Sequence, residues 1–368
     1  MQKKILILTT GKGGGHRSSS DAIKSAILAL DPDVDVNAYD AMNFLYGYTG
    51  EEQQSYITFT TRYRFFWKVF FEIASFFKGI SGFVLSKPIY PRFRKLILEY
   101  QPDIILSVHP CFVGSVNICL KRMKHTVPVH VCIIDLVKHS RLWHDKKCET
   151  TFVPTEKMVH FLLREGFKKE QVVHSGFPIG KRFSQRNKSP KTETALPEVL
   201  MVSPSLKRRK VTLDLILATL KHNVALTVVT GSDKKLKEYL DKRLVNVENV
   251  RVFGYVQDMD SRLSRADLLI AKAGPNMILE AVKMCVPVLI TGHIPGQEEK
   301  NYQYIVENGY GLRCKSSGEL SNALERLFAN DYALLKELSR NQQGCRDTSG
   351  ADIVAKHLIE ALDKMPEH

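Results

Sequence analysis

Two stretches of this chain combine residue types in an order that can do chemistry: Gly11-Lys-Gly-Gly-Gly-His16 and Ala271-Lys-Ala-Gly-Pro-Asn-Met-Ile-Leu-Glu-Ala281. In the first, a glycine run between an apolar strand and a helix lets another molecule approach the backbone closely. The histidine that closes it titrates near neutral pH and is a candidate proton acceptor; a helix-start histidine bonding only its own turn would look the same. A P-loop is excluded, because it needs Lys directly before Ser or Thr at the helix start and the chain has His16-Arg17 there. In the second stretch, Leu268 to Ala271 reads as a buried strand ended by a Gly-Pro turn, and Asn276 to Cys285 reads as a helix. Pro275 suits the first turn, where a missing N–H costs nothing. The helix start, with Gly274, Pro275, Asn276 and Met277, presents N–H groups and the positive dipole end, which suits a phosphate. Glu280, one turn in, can accept from both hydroxyls of a ribose diol or only complement the helix dipole. Beyond a second apolar run, Val286 to Thr291, lies Gly292-His-Ile-Pro-Gly-Gln-Glu298. Gln297 and Glu298 can read sugar hydroxyls, or simply open the next helix. Together these features describe a nucleotide-sugar site.

The elements that must position these groups alternate along the chain. Lys4 to Thr10, Asp33 to Tyr39, Pro102 to Val108, Val127 to Ile134, Val199 to Val202, Ala225 to Thr230 and Val250 to Phe253 read as strands separated by helices. That alternation implies an α/β fold with parallel sheets, whose ligands bind at the carboxyl ends of the strands. His16, His109 and Asp135 then share one such edge. His139 and His144 are a poor metal pair in a loop. A chain of 368 residues calls for two domains. The boundaries are read as 1–183, a polar proline-bearing linker at 184–197, a second domain at 198–350, and a final helix at 351–368 returning to the first domain.

Composition narrows the partners. A net charge of +14 and a pI near 9.3 point to an anionic membrane surface, an anionic substrate or nucleic acid. Seven scattered cysteines without a Cys-x-x-Cys spacing imply reduced thiols, as in a cytoplasm. No signal peptide is evident after Lys3-Lys4, and no apolar run reaches the roughly 18 residues of a spanning helix. Phe59, Tyr63, Phe66, Phe70, Ile73 and Phe77, with Trp67, form an aromatic stripe flanked by Arg62, Arg64, Lys68, Lys78, Lys87, Arg92, Arg94 and Lys95. Such a helix lies in a membrane interface, or its stripe is domain core. The reading is a soluble or peripheral protein.

Gly254-Tyr-Val, Ala266-Asp-Leu-Leu-Ile-Ala-Lys-Ala-Gly-Pro, Glu280-Ala, Ile294-Pro-Gly-Gln-Glu298 and Asn308-Gly-Tyr-Gly311 resemble the donor half of the monogalactosyl- and glucosyl-diacylglycerol synthases. Gly13-Gly-Gly-His16 and Asp135-Leu, followed by His139, Trp143 and His144, resemble their acceptor half. These are inverting glycosyltransferases, similar to the enzyme that adds N-acetylglucosamine to lipid I. The resemblance implies two facing Rossmann-like domains of the GT-B type. The first would take a lipid acceptor and associate with an anionic membrane surface on its cytoplasmic side; the second would hold a UDP-sugar. His16 becomes the base, and Asp135 orients acceptor or base. Gly14, Gly15, His109 and Trp143 fall on the acceptor side, and Phe66, Trp67 and Phe70 in the membrane-associating part. Gly254, Tyr255, Val256 and Met259 seat the uracil ring. The implied reaction moves glucose or galactose to diacylglycerol or a glycosyl-diacylglycerol, with no cofactor and no metal. The chain departs from the family where Ser203 to Lys210 replaces a glycine-rich loop. There Ser205 and Arg208 either hold a diphosphate by charge or belong to a solvated basic turn. A second departure is Asn276-Met277 in place of Gly-Thr. Two rivals remain: the same fold acting on a polyprenyl-linked acceptor, and a non-catalytic protein binding anionic surfaces on a decayed transferase scaffold, with nucleic acid the less expected target.

Overall fold

A computed structural model describes residues 2–11, 15–46, 78–137, 139–184, 196–202, 209–294, 298, 300–345 and 349–366. The chain divides into two compact units, residues 1–180 with 349–368, and residues 181–348.

The first unit is built on a six-stranded parallel sheet: β1 (Lys4–Thr9), β2 (Asp35–Asp40), β3 (Ile104–Ser107), β4 (Val129–Cys132), β5 (Thr150–Val153) and β6 (Val172–His174), in the order β2-β1-β3-β4-β5-β6. Ile5, Leu6, Ile7 and Leu8 are fully buried, as expected of a central strand covered on both faces. Helix α1 (Gly15–Leu30) buries Ala22, Ile23, Ala26 and Ile27 at helical spacing. The last helix of the chain, Gly350–Asp363, is capped by Ser349 and packs on α1 through Ala351, Val354, Ala355, Leu358 and Leu362. Its first residue must be glycine: a Cβ on Gly350 would stand 2.5 Å from the Phe177 carbonyl oxygen.

The basic aromatic stretch is described only from its second half. Phe66, Trp67 and Phe70 lie outside the described residues, and the helix Lys78–Tyr100 follows. This helix buries Ile89, Phe93, Leu96 and Ile97, and its other face exposes Phe83, Val84, Lys87, Arg92, Arg94 and Lys95. Among the described residues no helix is long and apolar enough to cross a membrane.

The second unit repeats the plan with β7 (Glu198–Val202), β8 (Ala225–Val229), β9 (Val250–Phe253), β10 (Leu268–Lys272), β11 (Val288–Gly292) and β12 (Gly311–Arg313), all parallel in the order β12-β11-β10-β7-β8-β9. β11 begins two residues later than its apolar run suggests, because Pro287 has no N–H to give a ladder. Its core joins Met201, Ile216, Leu240, Ile270, Leu289 and Leu324.

Strand order alone locates the crevices. In each sheet the chain winds outward, then returns to the other side of its first strand, and ligands bind beyond the strand ends at that reversal. The reversals fall between β1 and β3 in one unit and between β7 and β10 in the other.

Candidate active site

At the first reversal stand two histidines. His16, in the first turn of α1, is half-buried and its Nδ1 lies 2.7 Å from the Val108 carbonyl oxygen. A carbonyl only accepts, so Nδ1 carries the proton and Nε2 is left as a lone pair. Val108 is held in turn, because its N–H donates to Leu8 of β1. The next residue, His109, caps the short helical turn Pro110–Phe112 by accepting the Cys111 N–H on its own Nδ1. Its proton therefore sits on Nε2. The two rings are 4.7 Å apart at 55°. Burial lowers the pKa of His16, against a raising effect of the Val108 hydrogen bond. Burial, and next the charge of His16, hold His109 well below the usual imidazole range. Both rings are thus neutral at pH 7: one is an acceptor, the other a donor.

One strand further, at the end of β4, the Asp135 carboxylate accepts the Trp143 indole N–H at 2.8 Å. Trp143, expected on the acceptor side, is fully buried. Its ring fills the core and its N–H is taken by Asp135, so it anchors that carboxylate and offers no surface of its own. His139 lies against His144 with the rings tilted by 43° and meets Phe161 edge-on, each at 5.0 Å, and burial pushes His139 down to about 4. Among the described residues no three His, Cys, Asp or Glu side chains gather as metal ligands. All seven cysteines are free.

At the second reversal, helix Pro275–Lys283 begins directly beyond β10, with Gly274 at its cap position and Pro275 in its first turn. Gly274 supplies no capping side chain, which leaves the helix start to other partners. Asn276 and Met277 are half-buried there, and Glu280 is buried one turn in. Glu298 is buried as well: one carboxylate oxygen accepts from Lys272 Nζ at 2.5 Å and the other from the Ile294 N–H at 2.8 Å. Asn301 ties the same corner by donating to the Ala273 carbonyl. Gln297, Ser205, Arg208 and Gly14 lie outside the described residues. Gly254, Tyr255 and Val256 follow β9, with Tyr255 76% exposed, and Met259 opens the next helix. β7 and β8 separate this turn from β10, which at the usual strand spacing is about 14 Å.

Residues 16–179 match the family model for monogalactosyldiacylglycerol (MGDG) synthase, and residues 204–354 match that for the glycosyltransferase family 28 C-terminal domain. The first half of the chain thus carries an MGDG synthase domain and the second a glycosyltransferase family 28 C-terminal domain, and the protein is a glycosyltransferase. It is 28% identical to monogalactosyldiacylglycerol synthase 3 of Arabidopsis thaliana, over 99% of this chain and 83% of that protein. Among solved structures it resembles MurG of Acinetobacter baumannii, with a TM-score of 0.58, 13% identity and coverage of 99% and 100% of the two chains. Anabaena HepE in complex with UDP and glucose is equally similar, with a TM-score of 0.58, 13% identity and the same coverage. The fold of this glycosyltransferase is therefore GT-B.

One residue at the second crevice escapes the motif reading. Lys272 belongs to the family-like run Ala266 to Pro275, and its charge ends an otherwise apolar strand. The ammonium lies 3.0 Å from where a Gly274 Cβ would be, directly beside the helix start. The usable sign was a lysine ending a buried strand at a sheet edge. The Val108 carbonyl that sets the His16 tautomer left no sign at all, since any residue supplies one.

Proposed function

We propose that this glycosyltransferase moves a hexose from a UDP-sugar to the hydroxyl of diacylglycerol or a glycosyl-diacylglycerol, with inversion at the anomeric carbon. The observation that carries the reading is the His16 imidazole, whose Nδ1–H is held by Val108 so that Nε2 is an unprotonated base at the first reversal. His16 takes the proton of the acceptor hydroxyl as its oxygen attacks the anomeric carbon from the side opposite the phosphate. The bond from that carbon to the diphosphate oxygen breaks in the same step, giving a β-glycoside and UDP. Asp135, fixed by Trp143, supports the acceptor side.

In the second unit, the uracil is seated at Gly254 to Met259 and the diphosphate at the Pro275 helix start, a span that an extended UDP covers. Negative charge on the leaving diphosphate is met by the helix dipole and the Lys272 ammonium in place of a metal. Glu298, held by Lys272 and the Ile294 N–H, keeps lone pairs for sugar hydroxyls. The exposed face with Phe83, Val84 and Lys87 beside Arg94 and Lys95 suits an anionic bilayer surface, where each basic side chain contributes about 1 kcal/mol. The name of the Arabidopsis relative and the UDP and glucose in HepE support the acceptor and donor classes.

The test is transfer of labelled glucose or galactose from the UDP-sugar to diacylglycerol in anionic vesicles, with the anomeric configuration read by NMR. A β-linked glycolipid is expected. Binding of UDP without transfer to any glycerolipid would overturn the acceptor, and an α-linked product would overturn the mechanism.

A further inference from the structure

The carbonyl that fixes the His16 proton belongs to a peptide unit gripped at both ends. The Val108 C=O and the His109 N–H are the two poles of one planar trans unit and point opposite ways. Its C=O pole meets His16 Nδ1 at 2.7 Å. Its N–H pole donates to the Ser107 hydroxyl oxygen at a long 3.5 Å. That hydroxyl donates in turn to the His109 carbonyl at 2.9 Å, so it holds the next peptide unit as well. The same carbonyl accepts the Phe112 N–H at 3.1 Å.

Ser107 ends the otherwise apolar strand β3, between Leu8 of β1 and Val131 of β4, and is fully buried. The sheet fixes the backbone as far as the Val108 N–H, which donates to the Leu8 carbonyl. Beyond it β3 has ended, and the rotation about Val108 decides where its carbonyl points. The Ser107 hydroxyl is the side chain that bonds across this rotation. A neutral imidazole carries one proton, and the partner of one nitrogen decides which nitrogen holds it. Were the Val108 carbonyl to turn away, the proton could move to Nε2, and His16 would lose its acceptor there.

We propose that Ser107 is a positioning residue for the base: its hydroxyl holds the Val108–His109 peptide so that the Val108 carbonyl keeps the His16 proton on Nδ1 and leaves Nε2 bare. This rests on the reading of His16 as the base. Ser107 exchanges no proton itself and acts through the Val108 carbonyl alone.

The experiment compares wild type, Ser107→Ala and Ser107→Thr. The first variant removes the hydroxyl and the second keeps it. Nitrogen NMR of enzyme labelled in histidine reads the tautomer, with the His16 signals assigned by their loss in His16→Ala. In the wild type Nδ1 should carry the proton. In Ser107→Ala a large fraction should carry it on Nε2, and kcat should fall about tenfold, part of the 10²- to 10⁴-fold that a general base contributes. UDP affinity should be unchanged. The Val108 bond raises the pKa of His16 against its burial, so weakening that bond should move the acidic limb of kcat/KM to lower pH. A general loosening of the fold would instead admit water to the ring and move the limb upward, toward 6.5. Ser107→Thr should restore tautomer, rate and limb. If the added methyl lowers the melting temperature, Ser107→Cys is read in its place. It nearly keeps the volume but has only a weak donor, so the tautomer should shift as in Ser107→Ala. An unchanged tautomer in Ser107→Ala or Ser107→Cys overturns the proposal, whatever the rate. A shifted tautomer with full kcat would count against His16 as the base, which separates the two.

Discussion

The imidazoles of His16, in the first turn of α1, and His109, just beyond β3, lie 4.7 Å apart, with opposite tautomers set by a carbonyl on one and an amide on the other. Burial disfavours charge on both rings, and a charge on His16 would disfavour one on His109 further, so both are neutral at pH 7.

The pH dependence follows from the signs. Burial lowers His16 below the ordinary 6.5, so its base form persists to lower pH and transfer declines only as the pH falls through that lowered value. The acidic limb of kcat/KM should lie below 6.5. His16→Ala should reduce kcat by about 10²- to 10⁴-fold while UDP binding, read by calorimetry, is unchanged. Loss of UDP affinity in that variant would mark a structural histidine.

Lys272 carries a prediction about charge. Lys272→Met should weaken UDP by about tenfold to a hundredfold while leaving uridine binding as it was, since a charge-assisted hydrogen bond acts on the phosphates alone. If uridine and UDP weaken together, the lysine serves the fold of the corner and not the diphosphate. Titration of both ligands by calorimetry decides this.

The Asp135–Trp143 bond is buried on both sides. Trp143→Phe keeps an aromatic ring but leaves a buried carboxylate without that donor, a cost of about 1–3 kcal/mol. Chemical denaturation should show that loss, and the KM for the acceptor should rise with it. An unchanged midpoint would show that the carboxylate has found another donor.

His130 in β4 is buried beside His357 of the last helix, which bonds Thr150, and neither His130 nitrogen has a hydrogen-bond partner among the described residues. Burial, then the charge of His357, pushes His130 down to about 3. The unfolded chain therefore takes up the proton first, so stability present above pH 6.5 is lost progressively as the pH falls toward 3. His130→Leu should flatten this acid branch of the melting curve and raise the melting temperature at neutral pH. A curve parallel to the wild type would place the acid sensitivity elsewhere.

Read alone, the sequence determined the alternation of strands and helices, the glycine turn before His16 and the Gly-Pro helix start at Pro275. Each of these depends on neighbours in the chain: apolar runs of strand length, glycines that admit close approach, a proline that suits only a first turn. The tertiary structure decided what depends on distant partners. Asp135 needed Trp143, Glu298 needed Lys272, and the tautomer of His16 needed the carbonyl of Val108, 92 residues away. Trp143 reads from the sequence as an acceptor-side contact and is instead fully buried, because burial belongs to the packed sheet and not to residue type. Strand order was equally hidden, since which edge lies at a reversal is settled only when β3 and β10 return beside β1 and β7. Hydrogen bonds between groups far apart in sequence set charge and proton position, and no local pattern of residues encodes them.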